Sequence, residues 1–171
     1  MGVYNYLHYN SSAYPLLGNF ENFGEVFVRN TGERGMYNYA WKDTLNVTNN
    51  GTIHIAKTNL RGVYNVADNS EALLNFTNNG YIQIDSSRQE GLYNYAKQTH
   101  PDSLARLVCL NNGTIKIDST TNEGWQNYNQ RGNIECTNGP NGLIHISRAN
   151  DYGIYNLNQE DEAGFMAVMS I

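Results

Sequence analysis

Asn49-Asn50-Gly51-Thr52-Ile53-His54-Ile55-Ala56-Lys57-Thr58-Asn59-Leu60-Arg61-Gly62-Val63-Tyr64-Asn65 carries the architecture, because the chain repeats its plan five times. Two glycines eleven residues apart frame each copy: Gly24 and Gly35, Gly51 and Gly62, Gly80 and Gly91, Gly113 and Gly124, Gly142 and Gly153. The first glycine opens GEVFV, GTIHI, GYIQI, GTIKI or GLIHI; the second opens GMYN, GVYN, GLYN, GWQN or GIYN. A further copy of the second motif, Gly2-Val3-Tyr4-Asn5, begins the chain. Self-similarity at a period of 27 to 33 residues means one small unit stacked on itself.

Each unit reads as three short strands. The first precedes the glycine block, as in Leu45-Asn46-Val47-Thr48-Asn49, where apolar and polar residues alternate. Gly18-Asn19-Phe20-Glu21-Asn22 is a weaker copy. The second is Ile53-His54-Ile55 and its equivalents; the third is the G-φ-Y-N segment. Length varies only after that segment, as between Tyr95 and Arg106, so insertions loop outward at one corner. The fold predicted is all-β: a right-handed parallel β-helix of about six coils, with hand taken from the usual sense of parallel crossovers. Residues 1–162 form the solenoid, read as a piece of a longer array. The apolar tail, residues 163–171, is expected to start another coil, cap the last one or meet a subunit.

Stacking turns repeat positions into columns. Ile53, Ile82 and Ile115 form an inward aliphatic column, and Asn49, Asn78 and Asn111 an inward amide column that can hydrogen-bond along the rod. The many glycines and asparagines are expected to supply positive φ at sharp turns. Cys109 and Cys136 fall on one inward column in consecutive coils, provided Gly139-Pro140 expands a turn by two residues; a disulfide and two buried thiols both remain open.

Composition removes several functions. Of 171 residues 16 % are charged and the formal net charge is −5, leaving no electrostatic footprint for nucleic acid or an anionic bilayer. No apolar run reaches membrane-spanning length. His54 and His145 lie three coils apart, too far to share an ion, and read as solvated. Asp85 and Asp118 read as turn caps rather than calcium ligands. No cofactor or metal site is expected. The partner surface expected is the outward tyrosine column, Tyr37, Tyr64, Tyr93 and Tyr155, together with the variable-loop edge bearing Trp41, His100 and Arg106. Tyr14, Lys42 and Asp102 lie on the same edge.

The alternation of N-x-G-x-I-x-I with G-[IVL]-Y-N resembles the parallel β-helical repeats of large surface proteins and adhesins of Bacteroidota and similar Gram-negative bacteria. That resemblance implies an extracellular, cell-surface setting and a non-enzymatic adhesive or appendage-building role. It further implies export by a dedicated pathway, and partners among other segments of a surface assembly or host, prey-cell and matrix glycans. A carbohydrate-binding or polysaccharide-degrading β-helix and a self-assembling filament subunit are the alternatives.

Overall fold

The structure, a computed structural model, describes residues 2–8, 16–69, 71–98 and 104–159, and the backbone of 167–170. The first coil holds β1 (Val3–His8), β2 (Leu17–Asn22) and β3 (Glu25–Thr31). The second holds β4 (Met36–Trp41), β5 (Thr44–Asn49) and β6 (Thr52–Thr58), and the third β7 (Val63–Asp68), β8 (Leu73–Asn78) and β9 (Tyr81–Ile84). The fourth is β10 (Leu92–Lys97), β11 (Arg106–Asn111) and β12 (Thr114–Thr120); the fifth is β13 (Trp125–Gln130), β14 (Asn133–Asn138) and β15 (Leu143–Ala149). β16 (Ile154–Asn158) and β17 (Ala167–Ser170) open a sixth.

Every pairing between these strands is parallel, and they make three sheets: β1-β4-β7-β10-β13-β16 (sheet I), β2-β5-β8-β11-β14-β17 (sheet II) and β3-β6-β9-β12-β15 (sheet III). This is the parallel β-solenoid that the glycine spacing predicts, with three strands per coil. Among the described residues no helix is long and apolar enough to cross a membrane.

Equivalent residues lie in register. Ile53 faces Ile82, which faces Ile115, and Ile115 faces Ile144. Asn111 pairs with Asn138 while Thr114 pairs with Leu143, so the turn at Gly139-Pro140 carries two extra residues without disturbing either strand. Length therefore varies at this corner too, rather than only after the sheet I strands. The core is one cluster of inward columns, including Met36-Val63-Leu92-Trp125 and Leu45-Leu74-Leu107-Ile134, with nearly no exposure. Each such side chain contributes about 1.5–3 kcal/mol of burial.

The glycines serve a purpose other than the one expected. A Cβ on Gly51, Gly80 or Gly113 would lie 2.1, 2.1 or 2.0 Å from the carbonyl oxygen of the matching glycine one coil below. On Gly62 or Gly91 it would strike Cγ2 of Ile84 or Ile117 at 2.6 or 2.4 Å. These are close approaches, and positive φ plays no part in them. The left-handed positions fall instead on Asn30, Lys57, Ser119 and Arg148, each the second-last residue of its sheet III strand, and on Lys42, Asn69 and Arg131, directly after sheet I strands.

Candidate functional surfaces

Two amide columns run inside the rod. Asn5, Asn38, Asn65, Asn94, Asn127 and Asn156 each donate from Nδ2 to Oδ1 of the next, at 2.7–2.9 Å. Asn22, Asn49, Asn78, Asn111 and Asn138 do the same at 2.7–2.8 Å. Most of these side chains are fully buried, so water cannot replace a lost partner. Cys109 and Cys136 face each other in register; both are buried and free. Burial and the neighbouring Cys136 push the Cys109 thiol up. Asn94 donates to Cys136 Sγ at 3.5 Å, and that thiol donates to Asn127 Oδ1 at 3.3 Å.

The outer face of sheet I is aromatic. Tyr4, Tyr37, Tyr64 and Tyr93 form a column with ring centroids 5.1–5.3 Å apart. A second column two residues along pairs Tyr6 with Tyr39 at 4.9 Å and Tyr95 with Tyr128 at 5.2 Å, interrupted by Val66. The rings lie against one another along the rod, so much of their face area is already in contact. Arg34 sits over Tyr37 and Tyr64, and Arg61 over Tyr64 and Tyr93, at 4.2–5.0 Å, adding cation–π contacts. Arg61 is also ion-paired with Glu90 at 2.6 Å. Tyr39 donates to Asp68 at 3.0 Å, and both Tyr39 and Tyr93 are buried. Burial raises the phenol pKa of Tyr37, Tyr39, Tyr64, Tyr93 and Tyr95, so all five stay neutral.

The residues expected to form one surface divide among several. Tyr155 stands beyond the break at Gln126 and stacks on Tyr152 at 5.1 Å. Trp41 ends β4 and packs on His8 and Tyr39, still on sheet I. Arg106 begins β11 on sheet II, 3.6 Å from Glu135. Lys42 is a left-handed corner residue; His100, Tyr14 and Asp102 lie outside the described residues.

Sheet III corrects two expectations. His54 is no free surface histidine: its Nε2 contacts Asp85 Oδ2 one coil up, and Phe27 meets the ring edge-on. Asp85 does not cap its turn in the way expected; it accepts from Gln83 at 2.5 Å, and Gln83 accepts from the Tyr81 hydroxyl at 2.8 Å. Burial alone would raise the Asp85 carboxyl, but hydrogen bonds from His54 and Gln83 outweigh it and hold the pKa below its usual value. Asp118 likewise binds Arg148 through both oxygens, at 2.9 and 2.6 Å, and Ser147 at 2.8 Å, which lowers its pKa to about 2. The His54–Asp85 and Asp118–Arg148 contacts run diagonally between coils, where a one-dimensional pattern gives no signal. Among the described residues no group of three or more His, Cys, Asp or Glu side chains is placed to hold a metal.

No family model, curated protein or solved structure matches this chain.

Proposed function

We propose that this chain is a non-enzymatic structural and adhesive segment of an extracellular bacterial surface protein. The observation supporting this most directly is that long polar and aromatic side chains are engaged in contacts between coils. Inner amides, tyrosine columns and arginines together tie successive coils into a stiff body. Such a rod holds its outer faces at fixed spacing, which suits display and attachment. The extracellular setting rests on the resemblance of the N-x-G-x-I-x-I and G-[IVL]-Y-N pattern to surface adhesin repeats. Incubation with a panel of polysaccharides and glycoproteins, scored for retention and for new reducing ends, tests the reading. Retention without turnover is expected; release of reducing ends would overturn it.

A further inference from the structure

We propose that the ridge where sheet II turns into sheet III is a binding track for an uncharged polysaccharide chain lying along the rod. The inference deepens the adhesive reading and rests on it. The turn tips Asn50, Asn79 and Asn112 form a third amide column, this one exposed: Asn79 donates to Asn50 at 2.9 Å, and Asn112 to Asn79 at 3.0 Å. Thr48 and Thr77 stand beside it in register on sheet II.

The ridge is pre-organised. Its backbone N–H groups are spent inward: Asn50 and Gly51 donate to the Asn22 carbonyl, Asn79 and Gly80 to Asn49, and Asn112 and Gly113 to Asn78, at 2.7–3.0 Å. An extended peptide therefore finds no edge to pair with here, and what faces outward is side-chain amide and hydroxyl. An asparagine amide has two N–H donors and an oxygen with two lone pairs. After its two ladder bonds, Asn79 still has one donor and one acceptor site facing away from the column. Holding these groups fixed removes much of the ordering cost of binding.

Charge selects the ligand. Residues 48–52, 77–81 and 110–114 contain no charged side chain, and segment 21–25 around Phe23 adds only the exposed Glu21 and Glu25. A polyanion therefore gains nothing on the ridge, and a polycation meets charge at one end alone. Hydroxyl groups of a neutral glycan both donate and accept, matching a row of amides and hydroxyls repeated at about 4.8 Å, the strand spacing. Phe23 supplies the apolar element at the same turn position one coil earlier. It is 74 % exposed, and unlike the tyrosines its ring stacks on no other ring among the described residues. A free aromatic face at the end of a polar track suits the apolar face of a pyranose ring.

Depletion assays on insoluble cellulose, chitin and β-1,3-glucan, with alginate as the anionic comparison, test the proposal on the whole chain. At least one neutral polymer should be bound and alginate should not. Phe23→Ala and Thr77→Lys should each weaken retention by about tenfold, the scale of losing one good contact. Arg148→Ala, on sheet III, should leave it unchanged, and all three variants should melt near the parent temperature. Lack of retention on every neutral polymer, or parent-like retention by both ridge variants, overturns the track. With no new reducing ends, either result leaves the rod reading standing, whereas reducing ends reject that reading whatever the ridge variants do.

Discussion

Replacing Asn65 with alanine breaks the inner amide column at its middle. Asn65 is fully buried, accepts from Asn38 at 2.7 Å and donates to Asn94 at 2.9 Å. Alanine strands the Asn38 donor and the Asn94 acceptor out of reach of water. Each unsatisfied group costs about 1–3 kcal/mol, so the substitution should cost about 2–6 kcal/mol. Asn46 is the control: it also makes two ladder bonds, to Asn19 at 2.9 Å and from Asn75 at 2.8 Å, but on the wet side of sheet II. Water takes over there, and Asn46→Ala should cost about 0.5 kcal/mol. Urea unfolding of the two variants, read from midpoint and slope, measures the difference. Equal costs within about 0.5 kcal/mol would refute the idea that burial makes the inner column matter. Asn65→Asp adds a sign test. Burial should raise the folded-state pKa of this carboxyl above its unfolded value. Stability should then be greatest below the unfolded pKa and fall as pH rises through the folded one.

Further outcomes follow from single contacts. Gly80→Ala should cost several kcal/mol or abolish folding, because its Cβ would lie 2.1 Å from the Gly51 carbonyl oxygen, whereas Gly24→Ala meets nothing within 4 Å and should melt like the parent. Burial, with Glu90 and Asp151 nearby, raises the pKa of the Glu123 carboxyl. Its stabilising contribution is therefore present below the ordinary glutamate range and lost as pH rises through the folded value, so Glu123→Gln should raise the melting temperature at neutral pH and flatten its pH profile. Cys109 and Cys136 should resist a thiol reagent in native buffer and react together on unfolding; fast native labelling would contradict their burial.

The coil was legible because packing enforces it at fixed intervals. Ile53, Ile82 and Ile115 recur relative to a glycine that no other residue can replace, so spacing in sequence becomes register in space. The reason for the glycine was not legible: close approach and positive φ leave the same residue in the sequence, and only the contacts separate them. The left-handed positions at Lys57, Ser119 and Arg148 carry no compositional sign at all. Surfaces were harder to read than the core. Trp41 and Arg106 both sit near variable segments, yet they belong to different sheets. His54 meets Asp85 one coil up and two residues along, an offset that depends on side-chain reach rather than on repeat position.

Every inner amide donates in the same sense, from each coil to the following one. Sectioned at any level, the interior therefore shows carbonyl-type oxygens on one cut face and N–H groups on the other. The interior has an arrow built into its chemistry. Two cut faces of like kind repel, and only unlike faces can continue the column, so growth, splicing or repair of this architecture is compatible with one orientation alone.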